Sequence, residues 1–409
     1  MEITKTEPKW EAILGSNQWE GLLNPLHIDL RKLILVCGDF CQVTYDSFNN
    51  DQHSKYCGSS LYGKKSLFNR VALQNASNYY VASFLYATSR VEVPSDFIIH
   101  SFSTEAWDRE SNWMGYIAVT SDEFRKASGR REIYVAWRGT IRPLEWVDVL
   151  QPKLVSVESL LKINDQSAQQ SSSDTDDDDT TMKVMKGWLT VYTSNNANSP
   201  FTKLSARTQL LTKIKELVNL YKDENISIVF TGHSLGASLS ILSAFDVAEN
   251  VSSTIPVSAI VFGCPEVGNK VFKDKLKTYP NLKILHIKNV IDPIPHYPSK
   301  VLGYVHTGTE LDIDTRKSPY LKNSPNPSDW HNLQAMLHII AGWNGNDGKF
   351  ELKVKRSVAL VNKSCDFLKD EYLVLAAWWI EKNRGMVLDK DGEWGLGPPI
   401  DEDIPVPEF

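Results

Sequence analysis

In this 409-residue chain the residue types with the clearest chemistry lie in Gly232-His233-Ser234-Leu235-Gly236, a Gly-x-Ser-x-Gly frame between a strand-like and a helix-like run. Ile226-Ser227-Ile228-Val229-Phe230 is apolar and β-branched, whereas Leu235 to Asn250 carries alanine, leucine and isoleucine, no proline and a single glycine at its start. A serine at such a junction is a nucleophile elbow. Small flanking residues permit the sharp turn, the hydroxyl projects from the carboxyl end of the strand, and the helix N-terminus offers backbone N–H groups. The alternative for these five residues alone is a glycine-punctuated turn that happens to hold a serine.

A serine hydroxyl is barely nucleophilic near neutral pH, so it needs a histidine base and a carboxylate that fixes the histidine's tautomer and steadies its cation. Chains with an elbow serine supply these in the order Ser, Asp, His. Asp246, Asp274, Asp292, Asp312, Asp314 and Asp329 follow the serine. Asp292 fits best: it comes shortly after the strand-like Leu282 to Ile287 and just before Pro293, where the chain has left the carboxyl edge of a sheet. Its alternative is a turn aspartate before proline. Among His233, His286, His296, His306, His331 and His338, the strand-embedded His286 and His306 read as core or edge residues, and His296 is too near Asp292 in sequence to turn back on it. Asp329 or Ser328 can cap a helix beginning near His331. His338, seven residues further on, then lies about 10 Å down that helix. The loop-end His331 is therefore the candidate base; His338 stays as the alternative, otherwise a packed or hydrogen-bonded helix residue. For the oxyanion, Leu235 offers its backbone N–H, and Thr140, in Trp137-Arg138-Gly139-Thr140 after the strand-like Glu132 to Trp137, offers an N–H and a hydroxyl. Arg138-Gly139 could also be only a strand-end turn.

The elements that must position these residues alternate between strand-like and helix-like. A helix is predicted over Leu26 to Tyr45, inside an aromatic-rich N-terminal elaboration that ends near Asn75. Strands follow at Asn112 to Val119 and Glu132 to Trp137, and Ile141 to Val155 reads as an amphipathic cover. Asn164 to Thr181 contains Asp174-Thr175-Asp176-Asp177-Asp178-Asp179 and is too polar to order itself, so it reads as a mobile acidic surface loop; it lacks the glycine and glutamate of an EF-hand. Leu210, Ile214, Leu217 and Tyr221 mark one helix face between Lys203 and Lys222, and Val257 to Phe262, Leu282 to Ile287 and Val301 to Ile313 read as further strands. A helix is predicted from about His331 to Ala341, and Phe350 to Phe409 alternates between strand-like and helix-like pieces before a proline- and acid-rich tail. This pattern predicts an α/β fold with a mainly parallel sheet.

Bulk properties narrow the function classes. With 42% hydrophobic and 23% charged residues the chain reads as a soluble globular protein, and apolar stretches such as Leu373 to Ile380 are too short to span a bilayer. A formal net charge of −6 argues against a nucleic-acid binder. Cys37, Cys41, Cys57, Cys264 and Cys365 have no zinc spacing and fit reduced thiols. Met1 to Pro8 shows neither a signal core nor a transit-peptide character, so a cytoplasmic location is expected.

Five motifs together resemble the class 3 lipases: Arg138-Gly139-Thr140; Gly232 to Gly236; Phe262-Gly263-Cys264-Pro265-Glu266-Val267-Gly268-Asn269; Asn289-Val290-Ile291-Asp292-Pro293-Ile294-Pro295; and Trp330-His331-Asn332-Leu333. Arg142-Pro143-Leu144-Glu145-Trp146-Val147-Asp148 is similar to their plant subset, the class II phospholipases A1, and the resemblance extends to Trp19-Glu20-Gly21-Leu22-Leu23 and Ala359 to Ser364. It implies one α/β-hydrolase lipase domain over residues 1–409, with an N-terminal elaboration at 1–75, a lid and acidic loop at 141–181 and a tail at 390–409. It also implies hydrolysis of the sn-1 acyl ester of phospholipids at a membrane or micelle interface, with Ser234, Asp292 and His331 as triad and Thr140 and Leu235 at the oxyanion. No metal or other cofactor is implied, and no nucleic acid. Cys264 stands where relatives often carry serine or another small residue. Two other readings stay open: a neutral-lipid, monoacylglycerol or galactolipid lipase with the same triad, and a non-catalytic lipase-like signalling protein.

Overall fold

The structure is a computed structural model that describes residues 8–89, 98–99, 101–106, 108, 111–140, 152–161, 180–379, 386–388, 394–396 and 405–408. Most of the expected amphipathic cover, residues 141–151, and all of the acidic loop but its last two residues, 164–179, lie outside the described residues.

Among the described residues a seven-stranded sheet runs in chain order. Its strands are β1 (Tyr79–Ala87), β2 (Asn112–Thr120), β3 (Arg131–Trp137), β4 (Ile226–His233), β5 (Val257–Phe262), β6 (Leu282–Asn289) and β7 (Thr309–Ile313). The first three pair antiparallel and β3 through β7 pair parallel. Every residue of β4 and β5 is buried, as befits central parallel strands covered on both faces, and this is why their sequences run apolar without alternation.

Successive residues of a strand face opposite ways, so each strand feeds two cores. On one face Val229, Ile260 and Phe262 pack with α1 (Ile28–Asp46) and, later in the chain, the helix Leu333–Gly342. On the other, Ile228, Phe230, Ala259 and Val261 pack with α2 (Lys186–Thr193), α3 (Ala206–Leu220), α4 (Leu235–Asn250) and α5 (Lys270–Lys277). We number the Leu333–Gly342 helix α6. α4 is buried from Leu235 to Ala248, which explains an apolar composition with no polar stripe. The result is the three-layer arrangement of an α/β-hydrolase.

Four features differ from the sequence reading. The strand expected from Val301 to Ile313 is limited to β7, because Gly303 (φ 82°) and Gly308 (φ 89°) take left-handed conformations and Lys300–Leu302 forms a 3-10 turn. The helix expected at His331 is broken there. Pro327–Trp330 forms one short turn, and α6 is capped by Asn332, whose side chain accepts from the Ala335 N–H at 2.9 Å, not by Ser328 or Asp329. Among its described residues the C-terminal portion is mostly 3-10 turns and irregular chain with one small hairpin, Met386–Leu388 against Trp394–Leu396. Finally, α1 is more than an elaboration. It covers the middle of the sheet, and residues of the C-terminal segment fasten it, Arg356 to Asp39 at 2.8 Å and Lys363 to Asp46.

Candidate active site

Ser234 lies between β4 and α4 with φ 59° and ψ −127°, a backbone conformation that costs of order 1–3 kcal/mol for a residue with a Cβ. The glycines around it make that turn possible. A Cβ on Gly232 would fall 2.1 Å from the Gly236 carbonyl oxygen, and one on Gly236 would fall 2.3 Å from that of Trp137. The Ser234 N–H bonds to the Phe262 carbonyl at 3.0 Å, anchoring the elbow to β5. α4 starts at the next residue, so the first-turn N–H groups beside Ser234, Leu235 among them, have no carbonyl within the helix to bond and lie at its positive end.

Asp292 follows β6 and is 1% exposed; His331 is 4% exposed, in the break before α6. His331 Nδ1 lies 2.6 Å from Asp292 Oδ2, and the other carboxylate oxygen accepts from the Ile294 N–H at 3.0 Å. A carboxylate only accepts, so Nδ1 carries the proton and Nε2 of the neutral ring carries the lone pair. His331 Nε2 and Ser234 Oγ are both buried and both without a hydrogen-bond partner among the described residues. These are the two atoms between which a proton must pass if the serine is to act as nucleophile.

The other aspartates and histidines are engaged elsewhere. Asp246 is fully buried against Arg207 at 2.7 Å and Tyr192 at 2.8 Å, Asp274 pairs with Lys270 and Lys277 on the surface, and Asp312 faces Lys288. Asp314 pairs with Arg316, and Asp329 accepts from Ser324. His338 lies 2.7 Å from Ser318 Oγ, well down α6, and His296 is exposed on a 3-10 turn.

Two residues the sequence reading passed over hold the dyad. Asn289, at the end of β6, donates to the Trp330 carbonyl at 2.8 Å and to Thr315 Oγ1 at 3.0 Å, so the acid and base loops share one anchor. Gly263 (φ 53°) packs flat against the pair, where a Cβ would fall 2.8 Å from His331 Cε1 and 3.3 Å from Asp292 Oδ2. Its signal in the sequence was the Gly-Cys-Pro stretch after β5, which carried the resemblance without a stated role.

Thr140 is 7% exposed and belongs to the loop leaving β3, whose Trp137 pairs with Gly232. A Cβ on its neighbour Gly139 would lie 2.6 Å from the His233 carbonyl oxygen, which brings the loop against the elbow. Arg138 is wholly buried; its guanidinium donates to the Trp113 and Gly139 carbonyls at 3.2 and 2.9 Å and lies 3.9 Å from the Phe48 ring centroid. The arginine of this motif thus pins the loop from beneath, and burial lowers its pKa to about 10.

His286, His306 and Glu310 are a trio of metal-type donors. His286 Nε2 accepts the Cys264 N–H at 2.8 Å, its Nδ1 lies 3.4 Å from His306 Nδ1, Lys288 holds Glu310 at 2.7 Å, and His306 Nε2 lies 3.4 Å from Glu310. A neutral imidazole that accepts at one nitrogen carries its proton on the other, so His286 has no lone pair to give a cation.

Glu266, in the same stretch as Gly263, is 5% exposed and its Oε2 has no hydrogen-bond partner among the described residues. Burial pushes its carboxyl from an ordinary 4.5 up to about 7, with Lys300 pulling the other way. Between those two values the folded chain keeps a proton that the unfolded chain has released, so stability falls as pH rises through this window. Glu266→Gln is expected to melt higher than the parent at pH 8 and to match it near pH 4. Equal melting differences at both pH values would refute the assignment.

The lipase (class 3) family profile matches residues 134–302. Phospholipase A1-IIdelta of Arabidopsis thaliana is 58% identical over an alignment covering 100% of both chains. Phospholipase A1-II 5 of Oryza sativa subsp. japonica is 51% identical over 97% of this chain and 84% of that protein. Among solved structures, the lipase from Rhizopus microsporus var. chinensis is similar at a TM-score of 0.43 and 16% identity, over 71% of this chain and 76% of its own.

Proposed function

We propose, from the premise that this chain belongs to the class II phospholipase A1 group of the class 3 lipases, that it is a serine hydrolase cleaving the sn-1 acyl ester of phospholipids. The observation that carries the chemistry is the Asp292–His331 hydrogen bond of 2.6 Å, which leaves the lone pair on His331 Nε2, buried and without a partner among the described residues, as is the Ser234 hydroxyl. In this reading Ser234 Oγ attacks the ester carbonyl as His331 Nε2 takes its proton, and Asp292 stabilises the imidazolium. The oxyanion is met by the Leu235 N–H at the start of α4 and by the N–H and hydroxyl of Thr140. His331 then protonates the departing lysophospholipid alkoxide and activates the water that frees the fatty acid from Ser234.

The head group and the position of attack are set by the walls of the substrate groove, which the triad does not define. We assign phospholipid and sn-1 on the strength of the relatives' names. Phosphatidylcholine with distinct acyl labels at sn-1 and sn-2, presented in vesicles beside mono-, tri- and galactolipid, tests both. Preferential release of the sn-1 label supports the assignment. Preferential release of the sn-2 label, or turnover of the neutral or galactolipids alone, overturns it while leaving the hydrolase intact. We also propose a cytoplasmic location, a reading supported by five cysteines without zinc spacing, four of them buried; a fluorescent fusion that accumulates in an organelle would contradict it.

A further inference from the structure

Tyr45 stands in the last turn of α1, far in sequence from the triad, and its hydroxyl oxygen lies 2.8 Å from His233 Nδ1. His233 is the residue before the serine in the Gly-x-Ser-x-Gly frame, 6% exposed, and its Nε2 lies 2.8 Å from the main-chain carbonyl oxygen of His331. A carbonyl can only accept, so His233 Nε2 carries the proton. Burial holds this ring neutral, with the neighbouring His331 adding to the effect, so Nδ1 carries the lone pair and receives the Tyr45 hydroxyl proton. The Tyr45 oxygen in turn packs against Gly139. A Cβ on Gly139 would lie 2.0 Å from that oxygen, so no larger residue fits between them. The His233 and His331 rings lie 4.5 Å apart between centroids.

One directed chain of hydrogen bonds therefore runs from the Tyr45 hydroxyl, through the His233 imidazole, to the His331 carbonyl, with Gly139 packed against the Tyr45 oxygen at its start. It joins the loop that carries Thr140, the elbow that carries Ser234 and the segment that carries the base. We propose that Tyr45 is a positioning residue of this site, acting through His233 to fix His331 relative to the Thr140 loop. The inference rests on the assignment of His331 as base made above. Without the hydroxyl, His233 Nδ1 has no donor, the ring is free to change tautomer, and the His331 carbonyl loses its fixed partner. Tyr45 makes no step of the reaction itself, so the chain governs the rate of acyl transfer and not substrate affinity.

Tyr45→Phe keeps the ring and removes only the hydroxyl. In the full-length enzyme, with the soluble ester p-nitrophenyl butyrate, it is expected to lower kcat about tenfold, the scale of one hydrogen bond, with KM unchanged and the melting temperature within a few degrees of the parent. His233→Asn reads the same chain from its other side, and the double variant is expected to lose no more than the worse single variant, because both changes break one chain. Parental kcat in Tyr45→Phe, losses that multiply in the double variant, or a fall in melting temperature accompanied by a rise in KM would each overturn the proposal. Ser234→Ala separates the two levels. If it is inactive while Tyr45→Phe keeps parental kcat, this inference alone fails; if it stays active, the assignment of the triad fails first.

Discussion

Ser234→Ala is expected to lower kcat by about 10⁶-fold, the scale on which loss of a serine nucleophile is felt when the rest of the site is intact. The magnitude follows from the division of labour in the site. The proposed oxyanion donors at Leu235 and Thr140 and the binding surface survive the substitution, so a small residual rate is expected to persist over water alone. Only the covalent route is lost. The substitution is also a clean one, because the Ser234 hydroxyl bonds to nothing among the described residues and its removal leaves no polar partner stranded. A fluorophosphonate reagent should label the parent at this residue and fail to label the variant, while melting temperatures agree. Labelling of the variant, or turnover within a hundredfold of the parent, would place the nucleophile elsewhere.

Asp292→Asn should cost about 10⁴-fold, through the proton's position and not through the fold. One carboxylate oxygen receives the His331 Nδ1 proton at 2.6 Å, and the other receives the Ile294 N–H at 3.0 Å. The amide of asparagine can still accept from Ile294, which orients its NH₂ group toward His331. An NH₂ group donates, so His331 must present a lone pair at Nδ1 and carry its proton on Nε2, where it can no longer accept from Ser234. A pH–rate profile of the residual activity is informative: recovery at alkaline pH is expected if serine attack then proceeds without its base. Turnover within tenfold of the parent at neutral pH would mean that the acid is another residue.

How much of this was legible in the sequence depends on whether a residue's role is local. The elbow was readable because its requirements are met within five residues: two glycines whose missing Cβ atoms would strike backbone oxygens, and a serine that accepts a positive φ. β4 and α4 were readable because full burial makes a strand or helix uniformly apolar. Asp292 and His331 could be placed by their position at element ends, and the structure brings their side chains together. The boundary of the last strand was not readable, since Tyr304, Val305 and Thr307 are strand-type residues in a stretch that the left-handed Gly303 and Gly308 bend out of the strand. Neither was the cap of α6, because Ser328, Asp329 and Asn332 are all competent caps and the choice is made by the turn that ends at His331. Residues that act across long sequence separations left the weakest trace. Asn289 reads as the end of a strand and Tyr45 as the end of a helix; their importance comes from the Trp330 carbonyl and from His233, which only the fold brings to them.

The sheet's strand order has a consequence for how the protein comes into being. Each strand from β2 to β7 docks beside the one made just before it, so the sheet can be laid down edge by edge as the chain leaves the ribosome, without waiting for a later segment to be inserted. The chemical groups arrive in the same sequence: the loop after β3, the serine after β4, the carboxylate after β6 and the histidine only beyond β7. A nascent chain therefore carries its serine without a base for about a hundred residues of synthesis, roughly 5–20 seconds at ordinary translation rates. A hydrolase built in this order is thus inert while it is being made, and becomes armed only when all seven strands of its sheet have been made.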